Sequence, residues 1–330
     1  MKRSSIAEFL GPLVALAVIV AFVAITTPTF LAAENFRNIA LQVAVLSVVA
    51  LGATVVIITG GIDLSPGSMI ALLTMVLAMS IQLNGQPLWL AILITVGLGA
   101  LLGALNGGLV AYLRIPSFIV TLAGLSAFKG MALIVPPGSP IFSLSDDLSN
   151  LFYGTLFGIP LPFIYVVVLY TAATLMMNRT KFGREIYAIG GNQAAARLSG
   201  IKVQRVRMSA FVIAGITAGI GAVLLAARLN SGSPNYGAGL ELQAIAGAVV
   251  GGASLAGGRG HVLNTLVGTL IIVVVQNGLN LNAVSTSVQS ITIGAIILLA
   301  VALDIWRNKL TSLLPFFRSS GAQAQVREAS

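Results

Sequence analysis

The chain has 330 residues, 57% of them hydrophobic and only 8% charged, with a mean hydropathy of +0.99. Soluble globular domains carry roughly 25% charged residues, so this composition excludes a water-soluble globule. The formal net charge of +9 comes from 18 Lys and Arg against 9 Asp and Glu, and the absence of cysteine excludes disulfides and thiolate chemistry.

A bilayer core about 30 Å thick takes about 20 apolar residues per spanning helix. Apolar windows place about ten spans at 10–26, 40–59, 64–83, 89–113, 117–136, 160–178, 208–227, 242–256, 262–281 and 286–304. Runs such as LVALAVIVAFVAI do not alternate as the strands of a membrane β-barrel must. The expectation is an all-α polytopic membrane protein, with residues 1–9 before the spans, a polar loop at 179–207 and a tail at 305–330. The start resembles a signal peptide, but the run from Leu10 to Ile25 is longer than a signal core and no A-x-A site follows before TTPTF. It is taken as the first span. The eighth window, LQAIAGAVVGGASLAGG, is short and glycine-rich, which predicts a broken or re-entrant helix.

Loops rich in Lys and Arg stay in the cytoplasm. Ten spans starting inside put 15 of the 18 basic residues there, including Arg114, Arg259 and the cluster from Arg179 to Arg207. Both termini are then cytoplasmic, and Arg37, Lys129 and Arg228 are the exceptions. Glu34, Asp146, Asp147 and Glu241 fall on the other side. This asymmetry accounts for the net charge without any nucleic acid. An internal repeat is also suggested: residues 103–125 overlay the segment around Asn277-Gly278 when Asn106-Gly107 is matched to it. Two halves of five spans would have inverted topology, a plan common in transporters.

The segment GREIYAIGGNQAAARLSGIKVQRVR, from Gly183 to Arg207, is a polar island. Asn192 is suited to an N-cap and Gly200 to a C′ position, which predicts a helix of about two turns over QAAARLS. Gly190 and Gly191 are expected to turn sharply before it. Two readings stand side by side: a docking element for a soluble partner, or a topology determinant resting on anionic headgroups. Earlier, GGIDLS breaks the chain after span two; Gly60 and Gly61 loosen the helix, and Asp63 either caps the next one or serves a substrate or coupling ion. The GG-x-x-L pattern returns at Gly251 and Gly252, and both are taken as hinges or sites of tight packing.

GGIDLSPGSMIAL (60–72), YLRIPSFIVTLAGL (112–125), GREIYAIGGNQAAARLSGI (183–201), LQAIAGAVVGGASLAGGRG (242–260) and QNGLNL (276–281) together resemble the membrane permease of ribose-type ABC sugar importers, in order and from about 40 to 304. The resemblance implies a permease dimer in the bacterial inner membrane, formed with itself or a paralogue, a cytoplasmic ABC ATPase that carries the ATP and magnesium, and a periplasmic or lipid-anchored sugar-binding protein. It also implies that residues 190–200 form the helix that meets the ATPase, with Gly190, Gly191, Asn192, Ala194, Ala195, Arg197, Leu198 and Gly200 as its site residues.

Sugars are recognised by neutral polar side chains. Asn106, Gln276, Asn277 and Asn280 lie in apolar windows, and Gln42, Ser47 and Thr54 punctuate span two. These residues either line a path or bond one helix to another. Lys129 is expected to snorkel or pair, and His261 to be structural or solvated. Segment 135–150 is expected to be an external connector or a contact for the binding protein. No cluster of His, Asp and Glu has metal-ligand spacing, and no G-x-x-x-x-G-K-[ST] loop is present. The expected function is therefore the non-enzymatic, cofactor-free permease subunit of an ATP-driven monosaccharide importer. Its rivals are an ion-coupled secondary transporter, a membrane scaffold or lipid-handling enzyme, and the same importer carrying a furanose-like signal molecule or a nucleoside.

Overall fold

The computed structural model describes residues 4–135 and 138–313; Lys2, Arg3, Arg318 and Arg327 of the charge count lie outside them. The elements in order are α1 (Ser4–Thr26), α2 (Ala33–Ile58), α3 (Pro66–Ala78), α4 (Leu88–Ala111), α5 (Ser117–Ile134), β1 (Ile141–Phe142), α6 (Asp146–Tyr153), β2 (Thr155–Leu156) and β3 (Ile159–Pro160). They continue with α7 (Leu161–Arg179), α8 (Lys181–Gly191), α9 (Gln193–Leu198), α10 (Val203–Leu229), β4 (Ser231–Gly232), α11 (Leu240–Val250), α12 (Val262–Leu281) and α13 (Thr286–Leu313). A wider helical turn, Met79–Leu83, prolongs α3. Prolines set several starts: Pro66 opens α3, and Pro87, Pro116 and Pro160 immediately precede α4, α5 and α7. A fixed φ and a missing N–H cost nothing at those positions.

Seven described helices are long and apolar enough to cross a membrane, and Leu10–Thr26, Leu240–Val250 and Thr286–Ala302 are shorter apolar helices. Together they occupy the ten expected windows, and the chain is an all-α polytopic membrane protein. The strands are minor: β1 pairs antiparallel with β4, and β2 with β3 in a hairpin.

Hydropathy alone does not distinguish the inner helix from the outer ones. Every residue from Val43 to Thr59 is buried, so α2 is enclosed by its neighbours. In contrast, α4 exposes Leu93, Leu101 and Leu105 on one side. Its other side carries Gly99, Gly103 and Gly107, one per turn, against α10. A Cβ at Gly103 would overlap the Phe211 carbonyl, and one at Gly99 the Gly215 carbonyl. Lipid supplies no hydrophobic drive between helices, so close backbone approach through small residues takes over.

Two expectations are corrected. Segment 135–150 is not a plain connector: Ser145 accepts the amide of Leu148 at 3.0 Å and starts α6, which buries Leu148 and Phe152. Residues 228–241 are not a simple external loop either. Gly232 packs on Thr74 and Ala78 of α3, and Gly237 on Gly67 and Ile70, so this stretch follows α3 inward by roughly 10 Å, from the Thr74 to the Gly67 carbonyl at 1.5 Å per residue. The eighth span is thus a lead-in of short strand and turn followed by the 11-residue α11, about half the length a full crossing requires.

The α4–α10 contact yields a paired test on one helix. Gly103→Ala should destabilise by about 1–3 kcal/mol through overpacking, whereas Gly108→Ala, whose Cβ would meet nothing within 4 Å, should be neutral or slightly stabilising. Thermal melts in detergent measure both; equal shifts would contradict the packing.

Candidate functional site

The polar island folds into α8 and α9, and α8 was not anticipated from the sequence. Thr180 caps α8 by accepting the amide of Gly183 at 3.2 Å, Ile186 and Ile189 are buried beneath it, and Lys181 pairs with Glu185 at 3.7 Å. The cap and the three-residue spacing of the isoleucines were the available signals.

The ends of α9 agree with the sequence reading. Asn192 Oδ1 accepts the amide of Ala195 at 3.0 Å. At the other end, Gly200 has φ 80° and its amide donates to the Arg197 carbonyl at 3.0 Å, while Ile201 donates to Ala196 at 3.1 Å. This is a Schellman cap. Ala196 faces inward; Gln193, Ala194, Ala195, Arg197 and Leu198 are exposed, Leu198 by 90%.

Gly190 and Gly191 do not form the expected turn. They belong to the last turn of α8, and their role is backbone contact. A Cβ at Gly190 would overlap the Ile58 carbonyl, where α2 ends, and the amide of Gly258. That Gly258 amide donates to the same Ile58 carbonyl at 2.9 Å. Gly257 lies against the backbone of Gly60 and Gly258 against Gly191. The Tyr187 hydroxyl donates to the Gly260 carbonyl at 2.8 Å. The island is therefore seated where the break after α2 meets the loop after α11.

Both interruptions end a helix in the same way as α9. After α2, Gly60 has φ 80° and donates to Ile57, and Gly61 donates to Val56 at 3.1 Å. After α11, Gly252 has φ 94° and donates to Val249, and Ala253 donates to Ala248 at 2.9 Å. Gly60 and Gly252 are helix-terminating positions that favour glycine. The intervening backbone is fixed by further bonds. Asp63 accepts both the amide and the hydroxyl of Ser65, at 2.9 and 2.7 Å. It forms a turn before α3, whose cap position is Ser65. Burial raises the Asp63 carboxyl above its ordinary value, and the bonds from Ser65 draw it back. Ser117 Oγ accepts the amide of Ile62 at 3.0 Å, bringing in α5.

The candidate path residues separate into two groups. Asn106, 1% exposed, donates to Ser65 Oγ at 3.0 Å. Asn277 exchanges two bonds with Asn35, at 2.9 and 2.7 Å. Ser47 and Thr54 are likewise engaged within the bundle: Tyr170 donates to the Ser47 carbonyl, and Thr54 meets Thr265 at 2.7 Å. Gln276 is half-buried, and Asn280 is exposed and accepts from Gln289. Lys129, on α5, donates to the Pro234 carbonyl and to Asn235 Oδ1, pinning the turn that leads into α11. That irregular backbone is thereby held by protein, as irregular backbone at membrane depth must be. His261 precedes α12 without a side-chain cap, and among the described residues no group of His, Cys, Asp and Glu could hold a metal.

A bundle of broken and unbroken apolar helices, with a capped polar helix seated on the breaks, has the form of a membrane transport subunit. The family model described as "Branched-chain amino acid transport system / permease component" matches residues 35–301, and the chain belongs to that family. It is 40% identical to the Ribose import permease protein RbsC of Escherichia coli (strain K12), over 88% of this chain and 92% of that protein. It is 41% identical to the RbsC of Bacillus subtilis (strain 168), over 89% and 92%. It is 35% identical to the Xylose transport system permease protein XylH of Escherichia coli (strain K12), over 92% and 93%. No solved structure matches it.

Gly190→Ala should lower stability by about 1–3 kcal/mol and speed amide exchange at Gly258, because its Cβ intrudes between two backbones. Gly191→Ala, with nothing within 4 Å of the new methyl, should do neither. Melting and hydrogen exchange in detergent read both; identical behaviour of these neighbouring glycines would refute the seat.

Proposed function

We propose that this chain is the permease subunit of an ATP-driven, binding-protein-dependent importer of a monosaccharide or related polyol. The observation that carries the reading is α9: a short helix capped at both ends, exposed on all but one side chain, and continuous with α8, whose last turn rests on the backbone at the end of α2 and in the loop after α11. A helix so placed receives a push from outside and passes it to α2 and α11. The similarity to ribose and xylose permeases supports the sugar class.

In this reading α9, Arg114 and the return loop 251–261 face the cytoplasm with both termini, and the protein resides in the bacterial inner membrane. A cytoplasmic ABC ATPase, which carries ATP and magnesium, binds α9 through Leu198. A periplasmic or lipid-anchored sugar-binding protein docks at the end carrying α6 and the β2–β3 hairpin. Two permease subunits enclose the path, and no covalent chemistry takes place in this chain. Within the chain, Gln276 and Asn280 are the candidate path residues left accessible. Asn106 and Asn277 act by holding the helices in register, and Gly60, Gly61, Gly251 and Gly252 with Asp63 terminate or cap the segments that move together.

The test is co-purification with the ATPase encoded beside this chain. Wild type should retain it, and Leu198→Asp should lose at least tenfold of the recovered ATPase with an unchanged melting temperature, since that side chain is 90% exposed. Vesicle uptake driven by an ion gradient without ATP, with no ATPase retained by either protein, would replace this reading with a secondary transporter.

A further inference from the structure

A cavity of about 250 Å³ opens beside α9, between the end of α4, the turn into α5 and the start of α10. Arg114, Arg197 and Arg207 line it, with Gln193 and Gln204 between them. Among the described residues no carboxylate pairs with any of the three arginines. The Nε of Arg207 is shielded from solvent and has no hydrogen-bond partner. A shielded guanidinium N–H without an acceptor is costly, so this wall offers a donor to an incoming acceptor. Arg114 sits at φ 59°, a left-handed backbone that a non-glycine residue adopts at a cost and that concentrates at ligand sites.

We propose that this cavity binds a phosphate group, carried by an anionic membrane phospholipid. Several oxygens on one tetrahedral centre match several planar guanidinium forks, which a single carboxylate does not. The membrane source follows from the surroundings. The exposed stripe of α4, with Leu101, Leu105 and Tyr112, leads to the cavity, and Leu113 and Phe118 are exposed around the turn. A cationic cavity at the end of a span, rimmed by exposed apolar side chains, lies where headgroups sit with their acyl chains alongside. The site goes beyond the importer reading, since it needs no ATPase. Gln193 and Arg197 belong to α9, so an occupied cavity ties the bilayer to that helix.

The experiment is a titration of the purified full chain in neutral detergent, read by native mass spectrometry, with short-chain phosphatidylglycerol, the matching phosphatidylcholine and inorganic phosphate. Phosphatidylglycerol should bind at least tenfold more tightly than phosphatidylcholine or phosphate. Arg114→Gly and Arg207→Gln should each weaken it tenfold or more. Arg114→Gly suits the left-handed backbone, so its melting temperature should equal or exceed that of wild type, and it stands alone if Arg207→Gln does not fold. Undiminished phosphatidylglycerol binding by Arg114→Gly and by any folded Arg207→Gln overturns the site. Inorganic phosphate binding as tightly as the lipid overturns the membrane source. No binding of any phosphate ligand, with ATPase retention lost in Arg114→Gly, assigns the cavity to a partner's carboxylate and overturns the proposal.

Discussion

The contact on which the rest depends is between backbones: Gly190 pressed against the Ile58 carbonyl and the Gly258 amide. Three segments far apart in sequence meet there with no side chain between them. The contact requires glycine at 190 for space and at 257 and 258 for positive φ. It also requires α2 and α11 to stop where Gly60 and Gly252 stop them. Side-chain interfaces give by rotamer changes, whereas backbone packed on backbone gives only if helices move. A force on α9 is therefore passed through α8 to the ends of α2 and α11 as a displacement.

The polar groups of the bundle serve the same rigidity. In lipid each backbone amide and carbonyl needs a partner within the protein. The break after α2 draws partners from Asp63, Ser117 and the return loop, and the turn leading into α11 from Thr74 and Lys129. Asn106 and Asn277, side chains suited to a sugar by chemistry, are used to hold helices together. Their bonds join α4 to the break before α3 and α12 to α2. Arg114, Arg197 and Arg207, with no carboxylate paired to them among the described residues, line the cavity beside α9.

Much of this was legible in the sequence. Apolar windows located the ten elements because a bilayer imposes length and hydropathy on each. Asn192 and Gly200 marked α9 correctly because capping is local chemistry. Helix α8 and helix α6 were overlooked since each is short and amphipathic inside a polar stretch, although Thr180 and Ser145 stood at their caps. The role of Gly190 was misjudged for another reason: a glycine pair signals a turn or a close approach equally, and only the third dimension shows which neighbour is close. Pairs such as Asn35 with Asn277 or Lys129 with Asn235 depend on helix rotation, which nearly uniform hydropathy leaves undetermined. The GG-x-x-L pattern was visible twice, but not that Gly60 of the first copy meets Ala256 and Gly257, just beyond the second.

The central claim is that α9 and the two breaks move as one body. The chain has no cysteine, so spin labels can be placed at exposed Ala195 and Ala256 without background and their separation measured by electron–electron resonance in the reconstituted complex. The account predicts one narrow distance, unchanged on adding ATP, while a label pair from Ala195 to the opposite end of the bundle at Phe157 shifts. A distance between Ala195 and Ala256 that broadens or changes with ATP would contradict it.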